Sequence, residues 1–203
     1  MVMNQPFTTT NRLLASYSFS ELISNFGIVE FYPAYSDSLV AGDEPYLATK
    51  TNRSTKKNAQ KKNDETITFD SSPFTTPQTI LGTATLTFSM AINRVYAGTA
   101  SGNWNFELIR LRGAVETSIG TASGDQITTV SAGAWASFTE SLTRMPLTET
   151  NFAIGDVLRL VLTATTRTAG SYDDIRIYTD PENETADGIE TIFKVGVPFK
   201  VGN

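Results

Sequence analysis

Two stretches of period-two alternation constrain this chain more than any other feature. In Asn151 to Arg167, Leu158, Leu160, Leu162 and Ala164 share one parity behind a Gly155-Asp156 turn signal, while Arg159, Thr163 and Thr165 take the other. In Thr83 to Asn93, Ala84, Leu86, Phe88, Met90 and Ile92 alternate with Thr83, Thr85, Thr87, Ser89 and Ala91. Successive side chains of a strand leave opposite faces, so each stretch reads as a half-buried β-strand. The two are far apart in sequence, which implies a single apolar interior built by non-local pairing, as in a β-sandwich or barrel.

The remaining chain fits that plan. Residues 1–17 are rich in Thr and Asn, with Phe7, Leu13, Leu14 and Tyr17 as scattered apolar anchors, and read as an extended N-terminal arm that lies on a partner. Ser18 and Glu21 have the spacing of a capping box, and Phe19, Leu22, Ile23 and Phe26 recur at helical intervals, predicting one short helix that ends at Gly27. Ile28 to Tyr35 follows as a strand whose Pro33 places it at an edge or ends it early. Strands are further expected at Thr66–Asp70, Ile80–Asn93, Trp104–Leu111, Val115–Thr121 and Gln126–Ser131. A turn is expected at Gly98–Gly102 and a hairpin turn at Ser123-Gly124-Asp125. Trp135–Arg144 alternates less cleanly, because Glu140 shares the parity of Phe138 and Leu142, and a bulge there would reconcile it. Asp173–Thr179 and Ile189–Val201 complete eight to ten strands. The expected fold is all-β, an antiparallel, jelly-roll-like β-sandwich spanning residues 18–203, with the arm, the short helix and a basic loop at 50–62.

Charge is strongly segregated. Residues 50–62 hold six cations (Lys50, Arg53, Lys56, Lys57, Lys61, Lys62) and no acid, leaving ten of the 16 basic residues to oppose all 21 acidic ones, a balance of −11. The tract reads either as an electrostatic contact with nucleic acid or an acidic protein neighbour, or as a solvated loop, since it has no apolar residue larger than Ala59 and no aromatic. The net charge of −5 argues against a general nucleic-acid binder. The chain has no Cys and no His, which removes thiolate nucleophiles, Ser-His and Cys-His pairs and the common zinc sites. No cofactor site is expected. No secretory signal and no apolar run long enough to span a membrane is evident, so the sequence predicts a soluble chain.

Asp173, Asp174, Asp180, Glu182, Glu184 and Asp187 offer oxygen ligands for Ca²⁺, but their spacing departs from an EF-hand and an ordinary acidic loop is preferred. Glu107 and Glu140 are the only carboxylates nameable as a glycosidase pair, and Glu107 has solvent-face parity. Ser54 and Lys57 match a Ser-x-x-Lys spacing within a polar tract where no buried helix is expected. Asn52-Arg53-Ser54 and Asn183-Glu184-Thr185 match glycosylation sequons. Trp104 and Trp135 could stack on sugars, although Trp104 shares the parity of Phe106 and Leu108 and so belongs with the core.

From Phe106 to Leu162 the order is FELIRLRG, an ETSIGTA hairpin, a Trp-led strand ending in SLTRMPLTET, and then FAIGDVLRLVL. This rhythm, with its Gly155–Leu160 element, resembles jelly-roll structural proteins of tailed bacteriophages, particularly head decoration (cement) proteins. The resemblance covers about 80 residues and is one of strand rhythm. It implies a non-enzymatic virion protein, a homo-oligomer with a trimer favoured, bound to the major capsid protein or another virion protein and stabilising the shell through subunit contacts. Arm residues Phe7, Leu13, Leu14 and Tyr17 and the basic tract would make those contacts. The alternative is a carbohydrate-binding module of a receptor-binding or tail component, using Trp135, Tyr172 or Tyr178.

Overall fold

The computed structural model describes residues 15–16, 26–36, 44–49, 58–61, 64–93, 99–129, 135–167, 174–179, 185–186 and 189–200. Every regular element among them is a strand. In chain order these are β1 Ala15–Ser16, β2 Phe26–Ser36, β3 Glu44–Ala48, β4 Asn58–Lys61, β5 Thr66–Ser71, β6 Gln78–Asn93, β7 Ala100–Arg112 and β8 Val115–Ser123. They continue as β9 Ile127–Thr129, β10 Trp135–Phe152, β11 Val157–Arg167, β12 Asp174–Tyr178, β13 Thr185–Ala186, β14 Ile189–Glu190 and β15 Phe193–Lys200.

Apart from the separate β13–β14 pair, the strands form two facing layers. In the first, β10 runs along one edge of β6, while β12 and β15 take the other edge in turn, opposite Met90–Asn93 and Ile80–Phe88. Beyond them lie β4 against β12 and β2 against β15. The second layer runs β2, β3, β5, β11, β7, β8, with β9 also on β7. All pairings are antiparallel except β3 with β5, where Tyr46 lies opposite Asp70 in a parallel pair.

β2 belongs to both layers. It pairs with β15 as far as Phe31 and with β3 from Tyr32 onward, so the chain carries its hydrogen bonding from one sheet to the other. Pro33 falls just past this exchange, opposite Leu47. A residue without an N–H is tolerated there because the described ladder has already left one side of the strand. The opposite side of the sandwich is closed by packing between β8 and β10. A Cβ on Gly120 would meet Leu147 Cδ2 at 2.6 Å and the Pro146 carbonyl oxygen at 2.9 Å.

The two alternating stretches supply the central strands of the layers. Leu86, Phe88 and Met90 on β6 and Leu158, Leu160 and Leu162 on β11 are all fully buried. The rings of Phe88 and Phe106 meet across the interior at 4.8 Å, and Phe193 joins both edge-on. Trp104 is fully buried, and its indole N–H donates to the Arg176 carbonyl at 3.3 Å, tying β7 to β12 across the core. A buried indole needs such an acceptor.

Several local expectations are corrected. The helix predicted from Ser18 lies outside the described residues except at its end, where Phe26 and Gly27 open β2. Val29 and Phe31 are buried between half-buried neighbours, so period-two burial governs there. Gly102, expected in a turn, lies within β7. Its missing Cβ admits the Thr165 carbonyl oxygen, 2.8 Å from where that atom would be. Ser123-Gly124-Asp125 is not a hairpin turn either. β8 and β9 follow one another along the same strand, β7, and the Gly124 N–H donates to Trp104 O at 2.8 Å, so this is a slip in register within one line of pairing. The hairpin turn is at Gly113-Ala114, where Gly113 adopts φ of 60°, the conformation glycine supplies at the first central position of a two-residue turn. On β10 the register runs unbroken from Trp135 to Leu142 and shifts between Leu142 and Met145 and again between Leu147 and Thr150, so no bulge sets Glu140 apart from its neighbours. The loop expected at 50–62 ends in a strand, β4.

Candidate functional site

Of the residues singled out in the arm, Phe7, Leu13, Leu14 and Tyr17 lie outside the described set, and Ala15–Ser16 pairs with Val29 and Ile28 of β2. Lys50, Arg53, Lys56, Lys57 and Lys62 also lie outside it, while Lys61 ends β4 opposite Ile175. Of the acidic stretch, Asp174 begins β12 and Asp180, Glu182, Glu184 and Asp187 fall outside. Among the described residues no group of three or more acidic side chains is placed to hold a metal ion. No described helix is long and apolar enough to cross a membrane. Tyr178, one of the aromatics offered for sugar stacking, is fully buried. Glu107 and Glu140 stand on different layers, Glu107 on β7 and Glu140 on β10 opposite Phe88.

The strongest electrostatic feature is at the end of the sandwich where β7 turns into β8 and β10 into β11. Asp156 is buried and accepts from Arg112 through Nε at 2.9 Å and a terminal nitrogen at 2.7 Å, and from the Ala153 N–H at 2.8 Å. The Arg112 guanidinium and this backbone N–H hold the Asp156 carboxyl below its usual range against the opposing effect of burial. Arg110 and Arg112 both donate to the Asn151 carbonyl oxygen, closing the mouth of the sandwich. Phe74 zips onto the same turn, its N–H donating to Asp156 O at 2.8 Å and its carbonyl accepting from Gly155 N at 2.9 Å. On this braced end stand Val115 and Ile154, 64% and 69% exposed, the two large apolar side chains that project from the described surface.

The outer face of the second layer is braced by a second arginine. Arg159 holds Asp70 in a two-pronged pair at 2.7 and 2.8 Å and also reaches Glu116, linking β5, β11 and β8. These carboxylates raise its pKa further above the physiological range. Where β2 begins to leave the first layer, Glu30 accepts from the Tyr32 hydroxyl at 2.7 Å and Lys194 Nζ at 3.0 Å. The Tyr32 bond lowers the Glu30 pKa, and burial together with the Glu30 carboxylate pushes Tyr32 up to about 12.

Farther along that outer face is an open groove of about 450 Å³ lined by Asn105, Glu107, Thr121, Ser123, Val161 and Thr163 side chains. Glu107 lies directly between Val161 on β11 and Thr121 on β8. Asn105 is engaged, donating to Thr165 Oγ1 at 2.8 Å and accepting from Ser123 Oγ at 2.7 Å. Sequence parity placed Glu107 on the solvent face, but the Arg112–Asp156 clamp was not legible. Gly155-Asp156 reads as a turn, and its partner is 44 residues away.

No family model and no curated protein sequence matches the chain. Solved structures do. An α-amino acid ester hydrolase matches with TM-score 0.56 and 12% identity over 85% of this chain and 36% of its own. An aminopeptidase from the marine sediment archaeon Thaumarchaeota archaeon matches at 0.54 and 7% over 87% and 37%. A CocE/NonD family hydrolase from Staphylococcus aureus matches at 0.50 and 9% over 86% and 37%. The chain thus spans just over a third of the length of each of these proteins. The likeness is one of fold, and it corrects the expectation of a non-enzymatic protein. The three solved structures named above are hydrolases, so a chain of this fold is not read as non-enzymatic.

Proposed function

We propose that the chain is an assembly module, a sandwich that packs against neighbouring subunits of a larger particle, and that the particle is a virion whose shell it stabilises. The observation carrying this reading is the braced end of the sandwich, where the Arg112–Asp156 clamp fixes two turns that hold Val115 and Ile154 out in solvent. Exposed apolar side chains on a rigid support lose little conformational entropy when covered, which suits them to subunit contacts. The strand rhythm of Phe106–Leu162 supports a virion setting, with a further copy of the chain and the major capsid protein as partners. The sandwich's closure, through β2 on one side and the Gly120 contact on the other, makes it a stiff block for that role.

A second reading is favoured by the hydrolase matches. There the sandwich accounts for roughly a third of a longer chain, and this protein would serve as a module of a hydrolytic assembly. Size-exclusion chromatography with light scattering, run beside a glycan array and a panel of aminoacyl-ester and peptide substrates, separates the readings. A defined oligomer is expected, with no retained glycan. Turnover of an ester or peptide by the purified chain would favour the hydrolase reading, and glycan capture would favour a carbohydrate-binding module.

A further inference from the structure

The end of the sandwich that carries the exposed apolar pair consists of two neighbouring turns with opposite charge left over. The β7–β8 turn presents Val115, with Arg110 and Arg112 on the strand leading into it. The β10–β11 turn presents Ile154, with Glu149 on the strand leading into it. The turns lie side by side, since Arg110 and Arg112 of the first both donate to the carbonyl of Asn151 beside the second. Arg112 is committed to Asp156, and Arg159 holds Asp70 and Glu116. Arg110 reaches neutral acceptors, the Asn151 carbonyl oxygen at 3.2 Å and Thr117 Oγ1 at 3.3 Å, and its Nε is buried without a hydrogen-bond partner. Among the described residues Arg110 has no carboxylate partner and the exposed Glu149 has no cation. An unpaired carboxylate alone says little, since Glu44 and Glu107 also lack an ion pair among the described residues. This end differs because a half-buried guanidinium without a carboxylate is costly to hold, and because it lies behind the only large apolar side chains exposed on the described surface.

We infer that this end pairs two copies of the chain about a two-fold axis, the β7–β8 turn of each lying on the β10–β11 turn of the other. The inference rests on the assembly reading and names its partner. In a two-fold contact the same patch serves both sides, so it has to be complementary to itself. Here Val115 of one copy meets Ile154 of the other, Arg110 of the first meets Glu149 of the second, and each contact occurs twice. The apolar pair forms the desolvated centre, beside which a carboxylate–guanidinium bond is stronger than on open surface. Charge also fixes the orientation. Laying like turn on like turn would set arginines against arginines and Glu149 against Glu149, a juxtaposition that costs several-fold in affinity for each pair. The two-fold pair stands in place of the trimer that the strand resemblance implies.

The test is a double-mutant cycle on the full chain, with Glu149→Gln and Arg110→Gln read by sedimentation velocity and Glu149→Lys added as a charge reversal. Thermal melts of each variant report any loss of fold separately, and the exposed Glu149 variants should melt as the wild type does. A monomer–dimer equilibrium is expected for the wild type. Glu149→Gln should weaken it about tenfold, since two charge pairs are lost at once, and Glu149→Lys should weaken it more. Once Arg110→Gln is present, Glu149→Gln should have no further effect. A measurement that needs no change at Arg110 is the mixture of Glu149→Lys with wild type, which should give a mixed dimer of intermediate affinity because one of its two pairs survives. The inference is overturned if the smallest associated species is a trimer or larger, if the wild type stays monomeric, if Glu149→Lys dimerises as the wild type does, or if the losses from Glu149→Gln and Arg110→Gln simply add. Association that survives Glu149→Lys but is lost in Val115→Asp/Ile154→Asp overturns the two-fold pairing alone and leaves the assembly reading standing.

Discussion

Replacing Gly120 by Ala tests how the sandwich is closed between β8 and β10. Gly120 is not among the residues with positive φ, so its backbone conformation is open to alanine. If the site were roomy, the substitution would stabilise by about 0.4–1 kcal/mol by restricting the unfolded chain. The structure predicts the opposite sign. The new Cβ would sit 2.6 Å from Leu147 Cδ2, 2.9 Å from the Pro146 carbonyl oxygen and 3.2 Å from Met145 Cγ. Leu147 can yield by changing rotamer, but the backbone oxygen at Pro146 cannot move without displacing β10. Overpacking of this kind costs about 1–3 kcal/mol. Urea denaturation of the wild type and variant reads the difference. Leu147→Ala should cost less in the Gly120→Ala background than alone, with a coupling of about 0.5–3 kcal/mol, because the first change removes one of the clashing atoms. A neutral or stabilising Gly120→Ala, or strict additivity with Leu147→Ala, would refute packing of β8 on β10.

Two further outcomes follow from the core and the clamp. Phe88→Ala and Leu160→Ala should each destabilise by about 2–5 kcal/mol, and Thr85→Ala, on the exposed parity of β6, by far less in the same melts. Equal losses would show that the strand faces are wrongly assigned. Asp156 has a folded-state pKa below its unfolded value, so its contribution is present above about pH 4 and is lost as pH falls through the lower folded value. Asp156→Asn should therefore be less stable than the wild type at pH 7, with the gap narrowing below about pH 4; a gap that stays constant from pH 7 to pH 2 would contradict the clamp.

The parts of this fold that could be read in advance are those set by local alternation. Leu158, Leu160 and Leu162, and Leu86, Phe88 and Met90, lie on the buried side that their parity assigned. Glycine was legible as punctuation but not in its purpose. Gly102 permits a close approach by the Thr165 carbonyl, and Gly124 lies where pairing along β7 passes from β8 to β9, and neither is the turn its neighbours suggest. The exchange of β2 between sheets was half visible, since Pro33 marks an interrupted ladder but does not say that the strand continues with a new partner. The site was the least legible. Arg112 and Asp156 are ordinary surface residues in the sequence, and only the meeting of two distant turns makes one of them buried and the pair a brace. Glu107 carried the right parity, but its neighbours Thr121 and Thr163 come from two other strands, β8 and β11.

The central claim is that the braced end makes subunit contacts, and sedimentation velocity over a range of concentrations tests it most directly on the wild type and on Val115→Asp/Ile154→Asp. Both side chains are exposed, at 64% and 69%, so the substitutions should leave the fold intact. The account predicts a wild type that associates and a double variant that sediments as a folded monomer. A wild type that stays monomeric throughout, or a double variant that associates equally well, would contradict it.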